Sequence, residues 1–240
     1  MKLVVLIRRL RNPGPDGALL GACDAAALAT AAWLRHALPG ATLAAIAAGA
    51  TEDDDEALAH ALACGADRAA RVTDPILASV DYHGIAAALA AAARHLCDGV
   101  PDLVLAGERS SDEIQGAVGP AVAERLGVVQ LTGVTEVKPA PPGPGLLVTR
   151  ELEGRVTTVR IAPPAVLTIA RSPHAIRPMS GKAPSAPTAL ELEALGLTAA
   201  ELRHRQGALG AAVPMRPTRD VILLADPKAL VQRLREERLT

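Results

Sequence analysis

The sequence predicts an α/β fold built on a parallel sheet, because short apolar stretches alternate with stretches of helical length through the first half of the chain. Strands are predicted at 3–7, 42–48, 69–72 and 103–106, and helices at 24–38, 52–64 and 81–96. Strands separated by helices join one parallel sheet through right-handed crossovers, and the helices then cover both faces of that sheet. Half of the 240 residues are hydrophobic, which is enough to bury a large core.

Residues at the helix ends support these bounds. Asp24 is expected to cap the first helix, which Pro39 and Gly40 end, and Gly65 ends the second helix. The acidic run TEDDDE, at 51–56, opens the second helix, where the positive end of the helix dipole stabilises solvated acids. We therefore expect these acids to lie in solvent, and a metal site there is the less favoured alternative.

The stretch DLVLAGERSSDEIQGAVGPAVAERLG, at 102–127, predicts a buried strand, a polar loop and a helix. Gly116 and Gly119 allow the loop to turn sharply, and Pro120 is expected at the first position of the helix. Free N–H groups at a helix start attract phosphate without a cationic side chain, and the serine pair of the loop could add hydroxyl donors. The stretch therefore predicts a phosphate-sized anion site.

The predicted loop lies where other loops of the sheet are expected to converge. In a parallel sheet, ligands bind outside the carboxyl ends of the strands, so the loops after Ile7, Ala48 and Ala106 should meet at one edge. Many strand–loop–helix crossovers carry glycines and bind nothing. The local pattern alone leaves such an empty crossover as an equally weighted alternative.

Beyond Gly127 the pattern changes to short alternating strands. The segments LTGVTEV, GLLVTREL, GRVTTVRI and AVLTIA have this pattern, and Glu153 and Gly154 join two of them in a hairpin. We expect these strands to form an antiparallel extension of the sheet.

The C-terminal region, from Arg171 onward, has weaker periodicity. Prolines break the stretch 172–188, which is expected to be an exposed excursion, and a helical segment is expected near Thr198. A strand is predicted at 221–224 and a helix at 226–237, with one apolar face. A small tail of this kind is expected to pack against something larger.

Composition argues against a nucleic-acid partner. The net charge is −1, no lysine- or arginine-rich block is present, and Trp33 and Tyr82 are the sole aromatic residues, so neither a basic patch nor a stacking platform is predicted. The cysteines, Cys23, Cys64 and Cys97, have no paired spacing that would indicate zinc or a disulfide framework. Buried, apolar cysteine is the favoured interpretation of each.

The sequence also lacks the familiar catalytic and targeting patterns. There is no HExxH, CxxC, GxSxG or GxxxxGK[ST] motif, and the six histidines have no carboxylate or nucleophile at a telling spacing. The N-terminal run MKLVVLIRRL is too short for a secretory signal or a membrane span, so a cytoplasmic protein without membrane insertion is expected. A nucleotide-binding module without catalytic residues of its own fits these patterns best.

Several segments, in this order, resemble one known family. They are MKLVVLIRR, ALACGADRAARV, the strand–loop–helix stretch described above, VTRELEGRVTTVRIAPPAVLTIA and ALELEALGL. Together they resemble the beta subunit of electron transfer flavoprotein, the family that includes the FixA proteins. The resemblance extends over nearly the whole chain.

The resemblance implies an electron carrier rather than an enzyme. In this family a beta subunit pairs with an alpha subunit that holds the redox-active FAD, while the beta subunit buries AMP or, in electron-bifurcating members, a second FAD. The heterodimer carries electrons from a flavin dehydrogenase to an acceptor such as a quinone oxidoreductase. The implied fold is Rossmann-like, of the adenine nucleotide alpha hydrolase-like type, with an antiparallel hairpin and a C-terminal arm.

The resemblance also implies particular residues and domains. The nucleotide site maps onto Leu6, Ala48 and Gly49 through their backbone, and onto Asp112, Gln115, Gly116, Ala117, Val118 and Gly119 in the phosphate loop. Within a recognition loop at about 172–183, Ile176 matches the exposed aliphatic residue that enters a pocket of the partner dehydrogenase. Residues 1–185 would form the nucleotide-binding domain, and 186–240 an extension that packs on the alpha subunit. An ordinary surface loop is the alternative for the recognition loop.

Two other classes of function stay open. A stand-alone adenine-nucleotide-binding regulatory protein of the stress type would be a homodimer without flavin, and it would have no reason to carry the tail 172–240. A nucleotide-dependent hydrolase or ligase would need acid–base groups in the phosphate loop, where Asp112 and Glu113 are the candidates.

Overall fold

The computed structural model of the chain describes residues 1–10, 18–111, 115–143, 145–176, 178, 186–203, 224 and 226–237. The chain divides into two compact units, residues 1–206 and residues 207–240. The first unit contains the sheet and all the predicted site residues. In the second unit the described residues form one helix.

One sheet of nine strands organises the first unit. Its strands are β1 (Lys2–Leu6), β2 (Thr42–Gly49), β3 (Arg68–Thr73), β4 (Leu103–Gly107), β5 (Val129–Pro139), β6 (Leu146–Leu152), β7 (Arg155–Ile161), β8 (Ala165–Ile169) and β9 (Thr188–Leu190). They lie in the order β7-β6-β5-β8-β4-β1-β2-β3-β9. From β5 through β9 along this order, all neighbouring strands pair in parallel.

Helices cover both faces of this sheet. They are α1 (Ala22–Ala37), α2 (Asp55–Ala63), α3 (Tyr82–Cys97) and α4 (Val118–Leu126), with a 3₁₀ helix (Pro75–Ala78) before α3. One buried cluster contains α1 and α2 with one face of the strands, and a second contains α3 and α4 with the other face. The predicted α/β fold, with helices on both faces of a mostly parallel sheet, is therefore confirmed.

The chain reverses its direction of travel across the sheet at β1. It moves from β1 outward to β2 and β3, and then returns through α3 to β4 on the opposite side of β1. In a parallel sheet such a reversal leaves a crevice between the carboxyl ends of the two strands that flank it, because their crossovers go opposite ways. Here that crevice lies between β1 and β4.

The antiparallel extension consists of β5, β6 and β7. Glu153, with φ 50°, and Gly154, with φ 73°, form the predicted two-residue hairpin between β6 and β7, in the left-handed conformation that such turns require. The prediction that AVLTIA belongs to this extension is wrong. Its strand, β8, lies between β4 and β5 and is parallel to both. All five residues of β8 are buried, which is the pattern of a strand covered on both faces.

Two helix starts differ from the sequence prediction. Gly21, not Asp24, is the N-cap of α1. Asp24 lies in the first turn, where the positive end of the helix dipole stabilises an acidic side chain. Helix α4 begins at Val118, so Pro120 is its third residue rather than its first. Proline is tolerated throughout a first turn because those N–H groups have no intrahelical acceptor.

The C-terminal elements differ more. Residues 192–196 and 199–202 form turns, so the helical segment predicted near Thr198 is wrong. The predicted strand at 221–224 lies outside the described residues except for residue 224. Helix α5 (Pro227–Glu236) confirms the last predicted helix, and the Asp226 carboxylate accepts a hydrogen bond from the Ala229 N–H at 2.9 Å. Among the helices of the described ranges, none is both long and apolar enough to span a membrane.

Candidate functional site

The predicted nucleotide residues of β1 and β2 lie at the same edge of the sheet. Leu6 ends β1 and pairs with Ala106 of β4, while Ala48 and Gly49 end β2. Gly49 is opposite Thr73, the last residue of β3. The structure therefore brings together the strand ends that the sequence predicted to converge.

The loop after β4 is closed by its own backbone. The Ser110 N–H donates to the Gln115 carbonyl oxygen at 3.0 Å. A Cβ at Gly116 would lie 2.6 Å from the Glu108 carbonyl oxygen, so this position has no room for a side chain. Glycine is required here because the two arms of the loop touch. Asp112 lies outside the described residues.

Helix α4 starts directly against the neighbouring strand. A Cβ at Gly119 would overlap the Thr168 methyl group, which belongs to β8. Thr168 is 1% exposed, and its hydroxyl has no hydrogen-bond partner among the described residues. Ala117 is the N-cap and offers no side-chain acceptor to the first turn, which Val118 begins. Open N–H groups and an unpaired hydroxyl suit an anionic oxygen better than an apolar ligand.

Helix α1 reaches the same crevice from the other face. A Cβ at Gly107, the last residue of β4, would overlap the Asp24 carboxylate and would lie 3.0 Å from the Asp24 nitrogen. A Cβ at Gly21 would likewise overlap the Ser111 hydroxyl. The N-termini of α1 and α4 therefore converge on the end of β4, with the loop after β4 between them.

The acidic residues before α2 form a wall beside Gly49. Asp54 is 7% exposed, and its Oδ1 accepts a hydrogen bond from the Arg9 backbone N–H at 2.7 Å. The Arg9 guanidinium also pairs with Glu56 at 3.2 Å. Burial raises the pKa of the Asp54 carboxyl, partly opposed by the Arg9 N–H and the nearby Arg8 charge. The loop after β1 is thereby fastened to the start of α2.

Arg71 lies beneath the same acids. It is 8% exposed on β3, and its guanidinium pairs with Asp55 and, at 2.8 Å, with Glu52. The prediction that these acids are solvated is therefore wrong for Asp54 and Asp55, although Asp53 and most of Glu52 are exposed. An arginine within a buried strand was the sequence feature that could have indicated this. In the described part of the chain no group of His, Cys, Asp and Glu residues could hold a metal ion.

The cysteines behave as small buried residues. Cys64 and Cys97 are buried and free, and burial raises the pKa of both thiols. Cys23 is half-buried at the start of α1, where its Sγ donates to the Ala170 carbonyl oxygen at 3.6 Å. Neither geometry indicates catalysis.

Ile176 is less exposed than the sequence predicted. Its side chain is half-buried and packs against the core cluster beneath α1. Residues 177 and 179–185, the rest of the predicted recognition loop, lie outside the described residues, apart from residue 178. A partner-binding role for Ile176 stays a prediction.

The first unit also has a groove lined by α3 and α4. It has a volume of about 1060 Å³ and runs between α3, α4 and the turn at 194–197. Tyr82, Arg94 and Arg125 line it, and Ala117 is the one predicted nucleotide residue on its wall. Strand ends and helix starts, rather than this groove, define the candidate site.

Comparison with known proteins decides the family. The family model described as the electron transfer flavoprotein domain matches residues 16–198. The chain belongs to the electron transfer flavoprotein family. The match contains β2 through β9 and α1 through α4, and therefore the loop after β4 and the segment around Ile176.

Curated relatives place the chain beside the beta subunits and FixA proteins of the electron transfer flavoprotein family. Protein FixA of Azorhizobium caulinodans is 35% identical over 126 residues, which are 51% of this chain and 45% of that protein. The electron transfer flavoprotein subunit beta of Thermoanaerobacterium thermosaccharolyticum is 36% identical over 112 residues, 47% of this chain and 41% of that protein. The electron transfer flavoprotein subunit beta of Methylophilus methylotrophus is 36% identical over 116 residues, which are 48% of this chain and 43% of that protein.

These alignments cover less than half the length of each of these three relatives. The resemblance noted in the sequence is nonetheless confirmed, because the domain match and the names of the relatives agree.

Proposed function

We propose that this chain is the beta subunit of a heterodimeric electron transfer flavoprotein, a carrier that catalyses no reaction of its own. The domain match over 16–198 carries this proposal, because it contains both helix starts that converge on the end of β4. The alpha subunit would hold most of the FAD. The names of the FixA and beta-subunit relatives support the same role.

The proposed ligand of this subunit is AMP, or a second FAD. Its phosphate would lie at the start of α4, where the N–H groups of Val118 and Gly119 have no side-chain cap. Neither Gly116 nor Gly119 has room for a Cβ, because Gly116 lies against the Glu108 carbonyl oxygen and Gly119 against the Thr168 methyl group. The Thr168 hydroxyl is buried without a hydrogen-bond partner among the described residues, and the methyl group of the same side chain contacts Gly119.

The rest of the nucleotide would lie along the neighbouring strand ends. Leu6, Ala48 and Gly49 offer backbone groups at the carboxyl edge. Asp54 and its bond to the Arg9 N–H would keep that wall in place. When bound, the flavin of such a complex supplies the electron transfer, and this chain positions and shields it.

The proposal includes three partners. The alpha subunit would pack on the extension 186–240, of which 188–190 form β9 of the sheet, and residues 1–185 would be the nucleotide-binding domain. A flavin dehydrogenase would donate electrons after docking at the recognition loop, with Ile176 as a contact. A quinone oxidoreductase or a similar protein would accept the electrons. A small contact anchored by one aliphatic side chain is typical of short-lived electron-transfer complexes.

Co-expression tests the proposal directly. The chain would be produced with the protein encoded beside its gene, and the purified material analysed by visible spectroscopy and by mass spectrometry of the released nucleotides. A yellow heterodimer with one FAD and one AMP supports a conventional carrier, and two FAD support a bifurcating one. A colourless homodimer that releases an adenine nucleotide alone would refute the carrier and support the regulatory alternative.

A further inference from the structure

The segment 170–176, which follows β8, lies along α1 instead of projecting into solvent. Residues 172, 174 and 176 are half-buried, whereas 171, 173 and 175 are exposed. This alternation indicates that one side of the segment lies against the protein, although the chain bends at residues 173 and 174. The expectation of a wholly exposed excursion from residue 172 onward is therefore wrong for this part.

Two side chains of α1 contact this buried face. Thr30 Oγ1 and Ser172 Oγ form a hydrogen bond at 2.9 Å, and Ser172 Oγ also accepts from the His174 N–H at 3.1 Å. The Trp33 and His174 rings stack with their centroids 4.4 Å apart and their planes at 9°. Residues three apart on a helix face the same way, about 5–6 Å from each other. Ser172 and His174 therefore contact side chains that lie one helical turn apart on α1.

Ile176 is the third residue of the same face. It packs against the core beneath α1, two positions beyond His174. Ser172, His174 and Ile176 therefore form a row in which the imidazole ring is the middle contact. Without the ring, this row would be held on the protein only by the contacts of Ser172 and Ile176 at its two ends.

We propose that His174 is a positioning residue, whose ring stacks on Trp33 to hold the segment 170–176 in register on α1. This proposal rests on the proposed function in one respect, because it assumes that the segment contacts a partner protein. A segment that is ordered before docking loses less conformational entropy on binding, so a partner would meet the exposed residues 171, 173 and 175 and the exposed part of Ile176 already placed. Nothing in the stack requires chemistry from His174; a flat ring at this place is sufficient.

The chain offers a clean set of variants. His174→Ala removes the ring, and His174→Phe keeps a flat ring that can stack but cannot be protonated. His95→Ala is the matched control, because His95 is an exposed histidine on α3, which covers the other face of the sheet from Trp33. Trp33 is the single tryptophan of the chain, so its emission reports the stack alone.

The experiment uses the full chain and measures two properties. In His174→Ala we expect Trp33 emission to move to longer wavelength, and amide exchange at 172–176 to rise about two- to tenfold, the loss expected for one aromatic stack. His174→Phe should restore both properties, and His95→Ala should change neither. Equal emission and equal exchange in His174→Ala and the unmodified chain would overturn the proposal, as would failure of His174→Phe to restore them.

These measurements need no alpha subunit, flavin or dehydrogenase. A negative result in these measurements would show that the stack does not hold the segment. The proposed function would instead be refuted by the composition of the purified complex. The two failures are therefore distinguishable.

Discussion

Two neighbouring strands, β4 and β8, send their following segments to the same edge of the sheet, but the two segments are held differently. The loop after β4 is held by backbone: the Ser110 N–H bonds to the Gln115 carbonyl oxygen, and Gly116 lies against the Glu108 carbonyl oxygen where a side chain would not fit. The segment after β8 is held by side chains of α1, through one hydroxyl pair and one ring stack. Backbone contacts leave the first N–H groups of α4 without side-chain caps, as the proposed phosphate site requires, whereas side-chain contacts fix a short stretch, as the proposed docking role requires.

The difference predicts different responses to substitution. A backbone-held loop depends on glycines, which no other residue replaces without moving main chain. A side-chain-held segment tolerates exchange of one flat ring for another.

The largest effect is expected at Gly107. In Gly107→Ala the added Cβ would overlap Asp24 and crowd its backbone nitrogen, so the start of α1 must move. Overpacking against backbone costs about 3 kcal/mol of unfolding free energy, and weaker nucleotide binding should accompany it. Chemical denaturation measures the loss. In the control Gly145→Ala the nearest atom is the flexible Arg160 Nε at 3.2 Å, and a loss there equal to that of Gly107→Ala would contradict the argument.

The contrast also explains what the sequence could predict. The apolar runs before Gly116 and the glycines around it are local features, and they predicted the strand, the loop and the helix of the backbone-held site. Pro120 misplaced the helix start by two positions, because proline is compatible with any residue of a first turn. The parallel pairing of β8 was not predicted from the sequence. In a strand of only five residues, the alternating pattern of a strand with one exposed face is hard to distinguish from the apolar run of a strand that is buried on both faces.

Side-chain-held features were not predictable in the same way. Thr30 and Ser172 are 142 positions apart, so no local pattern connects them. The acids before α2 looked solvated because their partner, Arg71, approaches from β3. The sequence specifies such contacts only through the fold that brings the elements together.

A smaller effect is expected where Arg71 loses a partner. Asp55→Ala should lower the unfolding free energy by about 2 kcal/mol, because it leaves a buried guanidinium partly unpaired. Glu52→Ala is the matched comparison, since the Glu52 side chain is 74% exposed and an exposed pair contributes about 0–1 kcal/mol. Denaturation of both variants in parallel gives the result. An equal loss in the two would contradict the burial argument.

Asp54→Asn is expected to stabilise the protein slightly. Burial raises the pKa of the Asp54 carboxyl, so the folded state binds more protons and stability falls as pH rises through the folded pKa. An amide keeps an oxygen for the Arg9 N–H but carries no charge, and the gain at pH 7 should be up to about 1 kcal/mol. The gain should disappear below the unfolded pKa of about 3.9.

The Asp54 prediction has a matched control in Asp53→Asn. Asp53 is exposed and bonds the Thr51 hydroxyl at 2.6 Å, so its loss should leave the pH dependence of the melting temperature unchanged. A destabilised Asp54→Asn at pH 7 would indicate that the charge itself holds the wall beside Gly49.

The smallest expected effect is the pH response of the segment after β8. Burial lowers the pKa of His174, with Glu136 of β5 raising it and Lys138 lowering it; these two side chains pair with each other at 2.8 Å. A lowered folded pKa means that the unfolded state binds more protons, so stability falls as pH drops below the unfolded value of about 6.5. Melting temperatures from pH 8 to pH 5 should therefore fall less in His174→Phe than in the unmodified chain. An identical pH dependence of the two melting temperatures would show that protonation of His174 does not change stability. The contrast between the two segments would then lie in packing alone.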